Sequence, residues 1–157
     1  MRKPIQIGLI AAAIATVASV SVAATSGAEA VAARQANFKQ LGGAFGGINA
    51  ELKKDAPDLA LIRTNAAKMN ALASQEPTWF PAGSGPEAGV KTAAKPEIWS
   101  DGKGFAEAIK MLQGQTAKLQ QVSEGTDLDA LKAQVRATGG ACKNCHDQYR
   151  QSAQPQG

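Results

Sequence analysis

The segment 128–150, LDALKAQVRATGGACKNCHDQYR, decides how the rest of the chain is read. Its positions Leu128, Leu131, Val135, Thr138, Cys142, Cys145 and Tyr149 recur at steps of 3 and 4, the period of a helix with one buried face. Thr138 is the weakly polar member, and its methyl group suits a core. The stripe puts both thiols on the interior face of that helix. Gly139 and Gly140 precede Cys142 by less than a turn. They predict either a close approach of the backbone to a bulky group or a local kink.

Three further stripes lie upstream. Arg34, Phe38, Leu41, Phe45, Ile48 and Leu52 mark a first helix, and Asp55-Ala56-Pro57 ends it and opens the next. Leu59, Ile62, Ala66, Met69 and Leu72 mark the second. Phe105, Ile109, Leu112, Thr116 and Leu119 mark the third, with a cap near Ser100 or Asp101. The intervening stretch 76–104 holds four of the chain's seven prolines and five glycines, so it reads as a long connection. Trp79, Phe80 and Trp99 within it argue that it packs against the core. The expected fold is all-α, an antiparallel four-helix bundle with a long loop between the second and third helices.

The first residues read as an address. Arg2 and Lys3 precede an uncharged apolar run from Ile7 to Val22, and small-residue exits follow at Ala24 and Ala30. This is the layout of a secretory signal peptide. The organisation read from sequence is a signal peptide over 1–24, cut after Ala24 or Ala30, a bundle domain over 31–151 and a flexible tail over 152–157. After cleavage no membrane segment remains, and the product belongs in an oxidising exported compartment, the periplasm. The formal charge is +4, from 17 Lys+Arg against 13 Asp+Glu. Removing Arg2 and Lys3 leaves 15 against 13, too small and too scattered an excess to argue for nucleic acid.

The chemistry lies in Cys142-Lys143-Asn144-Cys145-His146, the C-x-x-C-H pattern of c-type haem attachment. Thiols three residues apart share a helix face, so both can form thioethers to the vinyl groups along one porphyrin edge. His146 follows directly and can turn its imidazole onto the iron. The expected cofactor is one covalently attached haem c, held through Cys142 and Cys145. Competing readings are weaker. A thioredoxin-like pair belongs near a βαβ unit, and no strand precedes this one. A closed structural zinc site needs four N/S ligands, and only three are present. An inert disulfide or a three-ligand zinc remains as a minor alternative. On the iron's other side no second histidine exists in the chain. The iron is therefore expected to be five-coordinate. The alternative is a six-coordinate, low-spin electron carrier with Met69 or Met111 as ligand.

Four stretches resemble the cytochromes c′, the class II cytochromes c: ARQANF at 33–38, FPAGS at 80–84, KPEIWSD at 95–101 and HDQYR at 146–150. In that family a methionine four residues after the first-helix arginine gives a low-spin carrier, whereas an apolar residue there leaves a high-spin, five-coordinate haem. Here that position is Phe38, which cannot ligate iron. The resemblance thus implies binding of NO and CO, electron exchange with redox partner proteins, and a homodimer through the first two helices. It also places Arg150 beside the proximal pocket, where a guanidinium meets a haem propionate or a proximally bound NO. Arg34, on an apolar stripe, is a second candidate for a propionate. An enzyme such as a peroxidase would need a distal acid–base group, and the sequence offers no evident one.

Overall fold

The computed structural model describes residues 25–151. The signal-peptide reading therefore falls outside the described residues, except for the exit at Ala30. Five helices follow in order: α1 (Gly27–Glu51), α2 (Leu59–Gln75), α3 (Glu97–Ser100), α4 (Gly102–Ser123) and α5 (Leu128–Tyr149). The long helices α1, α2, α4 and α5 form the antiparallel bundle, and the one-turn α3 belongs to the long connection. No helix among the described residues is long and apolar enough to cross a membrane.

Each long helix begins at a side-chain oxygen that satisfies an otherwise unpaired backbone N–H. Ser26 and Glu29 form a reciprocal capping box on α1. Asp58 accepts from the Leu61 amide at 3.0 Å, Asp101 from Gly104 at 3.1 Å, and Asp127 from Ala130 at 2.9 Å. Helix α1 thus starts at Gly27, ahead of the 31–151 domain read from sequence. Pro57 stands before the α2 cap rather than in its first turn. The α1–α2 turn is tied by buried Glu51, which accepts from Lys54 Nζ at 2.6 Å and from the Asp58 amide at 3.0 Å.

All five residues of the third stripe are buried, as are Leu131, Val135, Thr138 and Tyr149 of the fourth. Thr138 is fully enclosed and its hydroxyl donates to the Gln134 carbonyl at 2.9 Å. Gly139 and Gly140 do not interrupt α5. A Cβ on Gly139 would stand 3.4 Å from the Phe45 ring of α1, and one on Gly140 would meet nothing.

The packing order explains where the site lies. Helix α1 packs on α2, α2 on α4, and α4 on α5, but α1 and α5 share no comparable backbone contact. Two apolar clusters form beside that gap. One unites Leu41, Ile48, Ile62, Met69, Leu119 and Leu131, and Cys142 packs against it. The other unites Ile98, Phe105, Ile109 and Tyr149, and Cys145 packs against it.

Candidate haem site

Between α1 and α5 lies a cavity of about 620 Å³, and Arg34, Phe38, Cys142, Cys145, His146 and Arg150 all line it. Its volume is that of a pocket able to enclose a cofactor. Leu41, Phe45, Met69, Phe80, Phe105 and Leu112 make its inner wall apolar, while exposed Lys39 and Arg150 bring positive charge to its rim. An apolar macrocycle carrying two carboxylates matches that distribution.

Helix α5 presents the attachment motif as the period required. Cys142 and Cys145 are partly buried free thiols on the cavity wall. Burial, then the nearby Glu76 carboxylate, pushes the Cys142 thiol up. The same causes, with Cys142 added, push Cys145 up to about 12. A redox-active C-x-x-C pair depends instead on a lowered thiol pKa, and burial acts in the opposite direction here. Burial first, and then the Arg150 charge, holds His146 below the ordinary imidazole value despite its exposed edge. Both effects favour the neutral ring, the form that ligates metal.

Phe38 is partly buried, edge-on to Trp79 with ring centroids 5.1 Å apart and tilted against Phe80 at 6.1 Å. It brings only a hydrocarbon face to the cavity. Met69 is fully buried on the same cavity. Met111 is 48 % exposed and is absent from the lining, so the geometry removes it as a candidate ligand.

The two arginines reach the cavity in different ways. Arg34 is buried, and burial lowers its pKa. One terminal nitrogen donates to the Trp79 carbonyl at 3.3 Å and to Ser84 Oγ at 3.0 Å. The other donates to the Ser84 carbonyl at 2.9 Å and to Thr92 Oγ1 at 3.1 Å. Its guanidinium also lies 4.7 Å from the Phe80 ring centroid. Arg34 is therefore a clamp on the long loop, and only its Nε–H is left for an anion. Arg150 is the C-cap of α5: its amide still donates to the His146 carbonyl at 3.1 Å, while its own backbone turns extended. An isolated antiparallel bridge to Ala94 holds it further. The Gln151 amide extends that pairing to the Ala93 carbonyl at 2.8 Å.

Two elements of the site escaped sequence reasoning. Asp101 caps α4 and also accepts from the Tyr149 hydroxyl at 2.8 Å, which fixes the end of α5 against the start of α4. That hydrogen bond lowers Asp101 and is the first cause raising Tyr149 to about 12. The second is Glu76, in the 3₁₀ turn Glu76–Trp79 that follows α2. It is only 1 % exposed and supplies the cavity lining with its one carboxyl group. A lone glutamate beside Pro77 carries no motif, so nothing in the sequence signalled it.

Comparison with known proteins agrees with this geometry. The family model described as Cytochrome C′ matches residues 29–150. The cytochrome c′ of Rubrivivax gelatinosus is 35% identical over 124 residues, covering 78% of this chain and 95% of that protein. Its crystal structure superposes with a TM-score of 0.73 at 33% identity, over 80% of this chain and 98% of that one. A nitric oxide complex of an Alcaligenes xylosoxidans cytochrome c′ variant gives 0.72 at 31% identity, over 81% and 98%. A carbon monoxide-bound variant of the same protein gives 0.72 at 31%, over 80% and 97%. A cytochrome c′ described as having a ligand-controlled dimer dissociation gives 0.76 at 27%, over 83% and 100%. Bundle, attachment motif and matched span coincide, and the chain belongs to the cytochrome c′ family, with haem c as its cofactor.

Proposed function

We propose that this chain is a periplasmic cytochrome that binds NO and CO at a five-coordinate haem and exchanges single electrons with redox partner proteins. The observation that carries the reading is the cavity between α1 and α5, with Cys142, Cys145 and His146 on one helix and Phe38 on the other. Haem c, when bound, supplies an iron that takes diatomic ligands and changes oxidation state by one electron.

The chain's residues divide the work. Cys142 and Cys145 would hold the macrocycle through two thioethers. His146, favoured in its neutral form by burial and by Arg150, would hold the iron through a ring nitrogen. Phe38 closes the other approach with hydrocarbon, providing no ligand atom and no hydrogen-bond donor. That wall favours NO and CO, which need little polar help, over O₂. Arg150 at the rim has the charge and the fork to meet a propionate or a ligand on the His146 side. Arg34 holds the loop that roofs the pocket and retains one N–H for a propionate. The relatives' NO and CO complexes support the ligand class. The relative with ligand-controlled dimer dissociation supports a homodimer; its α1–α2 face is what the family resemblance implies, and a Cβ on Gly43 or Gly46 of α1 would meet nothing within the protomer.

An optical titration tests this reading. The purified mature protein should show a broad high-spin Soret band when reduced, and saturating CO should shift it. A sharp low-spin α band with no response to CO would overturn the open-site reading. It would transfer the sixth ligand to Met69, the methionine on the cavity, and Met69→Leu would then restore CO binding.

A further inference from the structure

Glu76 has no part in the proposed chemistry, yet it is built into the wall of the same cavity. Its Oε2 is buried without any hydrogen-bond partner. Buried polar atoms are paired in the great majority of cases, so an orphan on a cofactor wall calls for an explanation. The turn that carries it packs against α1, α2 and α4 and faces α5 across the cavity. Among the lining residues, the groups facing Glu76 are Arg34 and Lys39 from α1 and Cys142, Cys145, His146, Tyr149 and Arg150 from α5. Helices α2 and α4 contribute only Met69, Phe105 and Leu112 to the lining. No cation neutralises the carboxyl. Arg34 directs both terminal nitrogens at the loop, and Glu76 forms no salt bridge among the described residues. Its charge is felt at both Cys142 and Cys145, which places it near the edge where the macrocycle is tethered.

We propose that Glu76 is the proton-binding group of the haem pocket, taking up a proton at its carboxylate when the iron is reduced and releasing it on oxidation. The inference rests on the haem-site reading above. A one-electron donor, a redox partner or a mediator dye, supplies the electron to the iron. Solvent supplies the proton, the only new bond is O–H on Glu76, and nothing else is oxidised or reduced. The physical reason is that ferric haem carries one more positive charge than ferrous haem. In a water-poor pocket a neighbouring carboxylate favours the ferric form, and a neutral acid removes that preference. Burial holds the Glu76 carboxyl near pH 7, where such an exchange responds to the surroundings.

The test is the midpoint potential of the intact haem protein as a function of pH, by spectroelectrochemistry, for the parent protein and for Glu76→Gln and Glu76→Leu. In the parent the potential should fall through the neutral range with a slope approaching about 59 mV per pH unit, the value for one proton per electron. In both variants that neutral segment should flatten. Redox-difference infrared spectra should show a protonated-carboxyl C=O band gained on reduction in the parent and absent from Glu76→Gln. The inference is overturned if either folded variant keeps the parent's neutral slope, or if the parent shows no carboxyl band. Coordination number is read from the Soret band of the same samples. A low-spin iron with an intact Glu76-dependent slope would therefore sink the open-site reading alone, and an open site with unchanged slopes would sink this one alone.

Discussion

Arg34 and Glu76 are both buried charged-type residues on one cavity, and they differ in how burial is compensated. Arg34 meets four acceptors on the loop, so it should tolerate neither truncation nor conservative exchange. Arg34→Ala should lose about 3 kcal/mol in denaturant unfolding of the haem protein. Arg34→Lys should lie within about 1 kcal/mol of it, because one ammonium cannot serve acceptors arranged for a planar fork. A lysine variant as stable as the parent would refute the clamp. Glu76 has no such compensation, and its folded pKa stands at about 7 against an ordinary 4.5. The native state therefore binds more protons than the unfolded one between those values. Stability associated with this group falls as pH rises from about 4.5 and levels off above about 7. A shift of that size corresponds to roughly 3 kcal/mol as an upper figure. Glu76→Gln should match the parent below pH 4.5 and exceed it by up to that amount above pH 7, measured with the iron kept reduced. Equal stabilities at both ends would show that the carboxyl is solvated.

At the level of helices, the start of α1 yields the clearest prediction. Ser26 and Glu29 cap it, and a Cβ on Gly27 would collide with the Gly83 carbonyl of the long loop. The first turn thus belongs to the folded domain. We propose cleavage after Ala24, because a cut after Ala30 would remove the capping box and the Gly27 seat together. Intact-mass measurement of the exported protein should place Thr25 at the N-terminus, and Ser26→Ala should cost about 1 kcal/mol. The S-x-x-E signature stands in the sequence, but it lies inside the stretch that reads as an address, which is why sequence pattern alone opens the domain at Val31. Most of the bundle was legible, because periodicity reports directly on which helix face is buried, and C-x-x-C-H fixes the chemistry of α5. Long-range pairings were not legible. The clamp from Arg34 to Ser84 and Thr92, the Ala94–Arg150 bridge and the Tyr149–Asp101 hydrogen bond join residues far apart in sequence. No local pattern encodes such distances. Gly104 belongs to this class, since a Cβ there would stand 2.6 Å from Tyr149 Oη. Gly104→Ala should therefore loosen the α4–α5 junction.

For the whole molecule, the gap between α1 and α5 makes the cofactor part of the core rather than a passenger. The bundle's neighbouring pairs are α1–α2, α2–α4 and α4–α5, so helix packing leaves much of the α1–α5 side to whatever fills the cavity. Cys142 packs against one apolar cluster and Cys145 against the other, so a macrocycle tethered through both would bridge them. Left in contact with water, the apolar lining of this cavity, which opens at its rim, loses the burial that a macrocycle would supply. The chain without haem should not hold this geometry. Cys142→Ala/Cys145→Ala, prepared without haem, should retain much of its helical circular dichroism, because the α1–α2 and α4–α5 hairpins are closed locally. It should lose the cooperative thermal transition and the near-ultraviolet signals of Trp79 and Trp99, which pack on the cavity-lining rings of Phe38 and Phe80. A haem-free variant that melts cooperatively at the temperature of the parent would show that α1 and α5 are held apart by the polypeptide alone.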